Sequence, residues 1–170
     1  MSAHTTHEVA EKVRSWLSGR LPDDWFESVT VTVDREEITI VGTIAGVADA
    51  TPEAESGRIR RFREDTREKR IEIALELQAQ GTRKVAWGVT CGDTTELFTR
   101  LAVPVMTRLT QADRQVLDLL VESGVARSRS DALAWCVRLV RSHESDWLSD
   151  LSEALEAVRN VRRTGPGATA

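Results

Sequence analysis

The stretch of residues 103–140, VPVMTRLTQADRQVLDLLVESGVARSRSDALAWCVRLV, constrains the fold of this 170-residue chain more than any other part of it. Around its start the side chains alternate between two faces, as they do along a β-strand. One face carries Leu101, Val103, Val105, Thr107 and Leu109, and the other carries Ala102, Pro104, Met106 and Arg108. Because the first face is largely apolar, the pattern predicts a strand that buries one side.

Two amphipathic helices are predicted after this strand. Thr110 with Asp113 and Ser128 with Asp131 have the spacing of capping boxes, which begin helices, and Gly124 suits a helix C-terminus. The apolar positions are Val116, Leu119, Leu120 and Val125 in the first helix, and Ala132, Leu133, Trp135, Cys136, Leu139 and Val140 in the second. The segment is therefore predicted to form a strand, a helix, a turn and a second helix, in this order.

This order of elements resembles the ribbon-helix-helix family of DNA-binding dimers, the MetJ and Arc type. A segment of this length rarely buries enough surface to fold alone, so pairing with a second chain is expected. The resemblance implies a homodimer in which two strands form an antiparallel ribbon and the helices of both chains intertwine. The implied dimer core consists of Val103, Val105, Leu109, Leu119, Leu120, Leu133, Trp135, Cys136 and Leu139.

The resemblance also implies which residues contact double-stranded DNA. The ribbon would enter the major groove with Arg108 and Met106 pointing outward, where Arg108 can hydrogen-bond guanine and Met106 offers only apolar contact. The backbone amides of Ser128, Arg129 and Ser130 would meet a phosphate, because the start of a helix favours anions. The expected function is that of a DNA-binding transcriptional regulator in the cytoplasm, associated with the nucleoid.

The distribution of charge agrees with a DNA partner. The whole chain carries a formal charge of −4. Between residues 99 and 143, however, seven arginines face four acidic residues, which gives a local charge of +3. A positive patch attracts phosphate without specifying a sequence. Of the 23 basic residues 20 are arginine, a bias typical of proteins from GC-rich bacterial genomes.

Two other functions remain open because the predicted strand is unusual for a reader of bases. Pro104 removes a ladder donor, and Met106 carries no hydrogen-bonding group. The first alternative is a nucleoid or architectural protein of low sequence specificity. The second is an assembly subunit that uses the ribbon-helix-helix fold only to dimerise. Oligomers above the dimer are compatible with all three functions.

Residues 1–98 predict an α+β domain of the order α-β-β-α-β(β). The expected elements are a helix at 7–21, strands at 29–33 and 38–44, a loop at 45–57, a helix at 58–79, and a hairpin from 85 that turns at Gly92 and Asp93 and returns over 97–103. A short helix after Asp93 is the alternative for the last arm. The helix-strand-strand start is somewhat similar to a BON domain. Sensing of an effector, oligomerisation or binding of a protein partner is expected here.

The first half of the helix predicted at 58–79 is unusually dense in charge. Its basic residues are Arg58, Arg60, Arg61, Arg63, Arg67, Lys69 and Arg70, interleaved with Glu64, Asp65, Glu68 and Glu72. A solvated face held by ion pairs such as Asp65 with Lys69 is one interpretation. A second nucleic-acid surface is the other.

The C-terminal residues predict one more helix and a tail. Trp147, Leu148, Leu151, Leu155 and Val158 follow helical spacing within 144–163, so this helix is expected to pack on the dimer or to pair in a short coiled coil. Residues 164–170 are expected to be disordered.

Several classes of protein are disfavoured by the sequence. No apolar run is long enough to span a membrane, and the N-terminus lacks the apolar core of a signal peptide. Cys91 and Cys136 are expected to be buried free thiols, and His4 and His7 stand alone. No spacing typical of a metal, cofactor or catalytic site occurs, so no cofactor, no metal and no enzymatic activity are expected.

Overall fold

The structure, a computed structural model, describes residues 3–48 and 50–163, and the chain divides after Pro104 into two compact units. The first unit contains α1 (Ala3–Arg20), β1 (Ser28–Val33), β2 (Glu37–Thr43), α2 (Pro52–Asp65), α3 (Arg67–Ala79), β3 (Lys84–Cys91) and β4 (Thr94–Leu97). The second contains α4 (Gln111–Glu122), α5 (Arg129–His143) and α6 (Ser145–Arg163). The α+β class is confirmed, while the tail expected at 164–170 lies outside the described residues.

The four strands form one sheet in the order β1-β2-β3-β4. Two hairpins make its edges, and β2 pairs with β3 in parallel, with Ile40 opposite Trp87. A parallel pair needs a crossover connection, which α2 and α3 supply. In the first turn, Asp34 Oδ1 accepts the amides of Glu36 and Glu37 at 2.8 and 2.7 Å. In the last, Gly92 has φ +57°, as the first central residue of a type II′ turn requires.

All three helices of the first unit pack on the same face of the sheet. The largest fully buried side chains of this layer are Leu17, Ile40, Ile59, Ile73, Val89 and Cys91. The strand registers place hydroxyl side chains on the opposite face, where Ser28, Thr30, Thr32, Thr39, Thr43, Thr90 and Thr95 lie. Threonine suits an exposed sheet face because its β-branch favours the extended backbone.

The helix predicted at 58–79 is in fact two helices, and it begins earlier than expected. Thr51 caps α2 by accepting the amide of Ala54 at 3.2 Å, and Pro52 occupies the first helical position, where its missing N–H costs nothing. The loop predicted at 45–57 is therefore wrong in its second half. Thr66 ends α2, and its hydroxyl donates to the Phe62 carbonyl at 2.6 Å.

Two further expectations for this unit are wrong. The last arm is a strand at Thr94–Leu97, neither a short helix nor a strand over 97–103, because the tight turn at Gly92 brings Thr94 directly opposite Cys91. The ion pair expected between Asp65 and Lys69 does not form, since Lys69 Nζ pairs with Glu72 at 2.9 Å.

A glycine allows three aromatic side chains at one end of the core to pack closely against the sheet. The rings of Trp25, Phe26 and Phe62 contact one another with centroid separations of 5.2–5.9 Å. Gly42 lies in β2 beneath Phe26. The Phe26 ring occupies the space that a Cβ atom at position 42 would need. The absence of a side chain at this position therefore fixes how closely the ring approaches the sheet.

We expect Gly42→Ala to lower the free energy of unfolding by about 1–3 kcal/mol, because the added methyl group overpacks the site under Phe26. Urea unfolding followed by tryptophan fluorescence measures this change. Gly46→Ala is the matched control, since a Cβ there meets no atom within 4 Å. Equal stability of the two variants would show that the ring moves aside without cost.

Candidate nucleic-acid interface

The second unit is built on two helices whose starting points are fixed by capping residues. At the start of α4 the capping box is confirmed: Asp113 Oδ2 accepts the amide of Thr110 at 3.0 Å, and the Thr110 hydroxyl accepts the amide of Asp113 at 3.4 Å. The hydroxyl also donates to Asp113 Oδ2 at 2.6 Å. These hydrogen bonds lower the pKa of Asp113. They fix the point at which the segment carrying Arg108 joins α4.

The turn between α4 and α5 follows the sequence prediction except at its end. Gly124 has φ +78°, the left-handed conformation expected after a helix. Ser128 caps α5 by accepting the amide of Asp131 at 3.2 Å. The second capping box is only half formed, because the Asp131 carboxylate accepts the amide of Arg127 at 3.1 Å instead of that of Ser128.

An ion pair that the sequence did not reveal joins the two helices. Arg129 Nε and Nη2 donate to the two carboxylate oxygens of Asp118, each at 2.6 Å. This two-pronged contact raises the pKa of Arg129 and lowers that of Asp118. The Arg129 side chain is thereby directed to α4. The anion-binding groups left at the start of α5 are the first backbone amides, at Arg129 and Ser130, which have no partner within the helix.

The residues predicted to form the DNA-reading strand lie outside any helix or strand. Met106 is 97 % exposed and Val105 is 85 % exposed, while Leu109 packs partly against the small core of this unit. In a ribbon, each strand forms its hydrogen bonds with the strand of a second chain. The single chain therefore offers this segment no strand to pair with. Arg108 is exposed and forms no ion pair with any described residue.

The apolar residues predicted to form the dimer core are exposed or only partly buried in the single chain. Leu119, Leu139, Val103 and Val105 are exposed; Leu109, Leu120, Leu133, Trp135 and Cys136 are partly buried. Further exposed apolar residues are Val116, Val125, Val137, Val140, Trp147, Leu151, Leu155 and Val158. Apolar surface on this scale marks an interaction surface.

The residues that hold α4 and α5 together within one chain are different ones. Leu117, Ala126 and Ala132 form the buried cluster. Ala132 was among the apolar positions predicted for the second helix, whereas Leu117 and Ala126 were not singled out. Leu117 was obscured because it sits among five apolar residues within six positions, 116–121, so spacing alone did not show which of them faces α5.

Most of the arginines between residues 99 and 143 carry uncompensated charge. Arg129 pairs with Asp118, and Arg138 lies 3.8 Å from Asp131. Arg114 donates to the Leu109 carbonyl at 2.6 Å, next to the predicted reading residue. Within the described residues, no carboxylate lies within 4 Å of Arg100, Arg108, Arg114, Arg127 or Arg141.

The first unit has an open cavity of about 280 Å³ between α1, β2 and the end of α3. Its lining is mainly apolar, and its two charged members, Lys12 and Arg83, are both basic. Arg83 Nε donates to the Asp34 carbonyl at 2.6 Å, but the buried Arg83 Nη2 has no hydrogen-bond partner among the described residues.

The two cysteines are free, as expected, although only Cys91 is buried and Cys136 is partly buried. Burial, and then the charge of Glu55, raise the pKa of the Cys91 thiol. Across the described ranges, no cluster of His, Cys, Asp and Glu could hold a metal ion. No helix in those ranges combines the length and apolar character needed to cross a membrane.

Comparison with known proteins places both units in described families. The family model for the Rv1265-like protein N-terminal domain matches residues 11–97, and the model for the Mb1296 C-terminal domain matches residues 110–162. The chain is 53 % identical over 163 residues to protein Mb1296 of Mycobacterium bovis and to proteins MT1303 and Rv1265 of Mycobacterium tuberculosis. These alignments cover 92 % of this chain and 71 % of each relative. No solved structure matches the chain.

We expect Asp118→Asn to lower the thermal midpoint of the second unit at neutral pH, because it removes the charged partner of Arg129. The folded-state pKa of Asp118 lies below its unfolded value of about 4, so its stabilisation is present at neutral pH and is lost as the pH falls through the folded pKa. Circular dichroism melts of the two proteins should therefore converge in acid. Glu122→Gln, on the same helix, is the control, and a constant difference at all pH values would contradict this role.

Proposed function

This chain belongs to the family of Rv1265-like proteins, and we propose that it is a transcriptional regulator that binds double-stranded DNA as a homodimer. The observation that carries the proposal is the second unit, in which an exposed, arginine-bearing segment leads into two capped helices with uncovered apolar faces. This combination supports an assignment of the second unit as one half of a ribbon-helix-helix dimer. The nucleoid is then the place where the protein works.

The homodimer is supported by the mismatch between the buried and the exposed apolar residues of the second unit. Three small or medium side chains, Leu117, Ala126 and Ala132, form the buried cluster there. Leu119 and Val137, by contrast, are each about two-thirds exposed. A second copy would cover these faces and would give the 101–109 segment the hydrogen bonds of a paired strand. The exposed stripe of α6 extends the same apolar surface along the chain.

Contact with DNA is supported by the placement of charge in the same unit. Arg108 is exposed and unpaired at the position from which a ribbon reads bases, while the first amides of α5 can bind a phosphate. Phosphate contacts position a protein on DNA, and base contacts specify the sequence. In the proposed complex, Arg108 would read the base sequence, and the start of α5 would position the protein on the DNA backbone.

A nucleoid protein of low sequence specificity is the second candidate. It is favoured by the composition of the reading face, where Pro104 and Met106 stand on either side of Val105 and neither offers a side-chain hydrogen bond to a base edge. Only Arg108 would then distinguish one base pair from another. Wild-type protein that binds all duplex sequences with the same affinity would decide for this candidate.

The first unit fits the role of a sensing domain in this proposal. Its cavity, with an apolar lining and the two cations Lys12 and Arg83, supports a small anionic effector.

We expect Leu119→Glu to convert the dimer to a monomer, because it places two carboxylates in the interface that both copies share. Size-exclusion chromatography with light scattering at micromolar concentration measures the mass. Leu75→Glu is the matched control, since Leu75 is 61 % exposed on α3 of the first unit and lies outside the proposed interface. A wild-type protein that is monomeric under these conditions would rule out the homodimer.

We expect Arg108→Ala to reduce the preference for the best-bound sequence, selected from a random duplex pool, by about 10–100-fold, the value of one good base contact. Fluorescence anisotropy against the selected and a scrambled duplex gives this ratio. Arg141→Ala removes the same charge near the end of α5 and should weaken both duplexes alike. If the ratio of affinities is unchanged in Arg108→Ala, Arg108 does not take part in base recognition.

A further inference from the structure

Four arginines of the first unit follow one stripe along α2 and α3. Arg60 and Arg63 lie on α2, and Arg67 and Arg70 lie on α3. The members of each pair are three residues apart, a spacing that brings side chains to the same side of a helix. We name this set the arginine stripe. We propose that the arginine stripe binds the phosphate backbone of duplex DNA without regard to its sequence. This proposal depends on the proposed function only because both take duplex DNA as the ligand.

The spacing of the stripe is unfavourable for an isolated helix. Like charges three or four residues apart destabilise a helix, whereas opposite charges at the same spacing stabilise it. Among the described residues, none of the neighbouring carboxylates Glu64, Asp65 and Glu68 lies within 4 Å of an arginine or lysine nitrogen. Within the described residues, no member of the stripe forms an ion pair either. The stripe is therefore a concentration of positive charge with no anion of its own.

Arg70 makes the stripe a built site as well as a solvated surface. Its exposure is 7 %, which is rare for an arginine that has no carboxylate partner. Its Nε donates to the Thr66 hydroxyl at 3.0 Å, and its Nη2 donates to the Arg63 carbonyl at 2.6 Å. Desolvation, and then the charges of Arg63 and Arg67, lower the pKa of Arg70 to about 10, so it remains charged at neutral pH. An anion bound by the exposed Arg63 and Arg67 would relieve this repulsion.

The ring of Phe98 holds two members of the stripe in place. The guanidinium carbons of Arg70 and Arg63 lie 4.6 and 5.4 Å from its centroid. Both contacts are within the range of a cation–π interaction, which offsets part of the cost of burying Arg70. The backbone amide of Phe98 donates to the Trp87 carbonyl at 2.7 Å, so the ring is anchored to the sheet. The two guanidinium groups are thus preorganised.

Phosphate is the anion that best fits this arrangement. The planar guanidinium group presents paired donors that match phosphate oxygens, and arginine keeps its charge when partly buried. A chain of phosphates therefore matches the stripe in charge.

The test is salt-dependent binding of the full chain to a labelled random-sequence duplex of 30 base pairs, followed by fluorescence anisotropy. The stripe variant carries Arg60→Gln, Arg63→Gln and Arg67→Gln, all at exposed positions. We expect its affinity to fall about ten-fold or more at 50 mM salt, and the slope of log affinity against log salt to drop by about 0.9 for each lost phosphate contact. The charge-matched control carries Arg14→Gln, Arg35→Gln and Arg61→Gln, which are exposed positions of the first unit outside the stripe.

The outcomes separate this proposal from the proposed function. A stripe variant that binds like wild type, or only as weakly as the charge-matched control, overturns the stripe proposal even if Arg108→Ala loses sequence preference. Loss of random-duplex binding in the stripe variant, with no effect of Arg108→Ala on preference, supports the stripe and removes the readout by Arg108. Vesicles of phosphatidylglycerol provide the last arm. Loss of vesicle binding in the stripe variant, with duplex binding intact, overturns the proposal in favour of a membrane surface.

Discussion

The parallel pairing of β2 with β3 is the constraint on which the first unit depends. Parallel neighbours cannot be joined by a tight turn, and here residues 44–83 cross from the end of β2 to the start of β3. That crossover is α2 and α3, and it covers the same face of the sheet as α1. Arg20 fastens α1 to α3, with Nε and Nη2 donating to Glu76 at 2.8 and 2.7 Å.

The same constraint gives the outer surface of the crossover its character. One side of α2 and α3 is buried through Ile59, Ile73 and Leu77, and the remaining positions face outward. The arginine stripe runs along the border between these sides, so its last member is buried and the others are exposed. A single helix would have continued through Thr66. The break there lets the Arg70 side chain reach back to the Arg63 carbonyl at the end of α2.

The second unit follows a different principle, because its one chain leaves much of its apolar surface uncovered. Its local geometry is nevertheless well determined by the capping residues Thr110 and Ser128, by Gly124, and by the pair of Arg129 with Asp118. These contacts hold α4 and α5 together within one chain.

Elements with local signals could be predicted from the sequence alone. The structure has the alternation of Val29, Val31 and Val33, the caps of α4 and α5, and the glycines at 92 and 124 where the sequence predicts them, because these features depend on the backbone preferences of neighbouring residues. Which partner each side chain contacts was visible only in the folded chain. It placed Leu117 in the buried cluster, turned Arg129 toward Asp118, and buried Arg70 without a carboxylate partner. These outcomes depend on contacts between residues distant along the chain or on burial, which spacing does not encode.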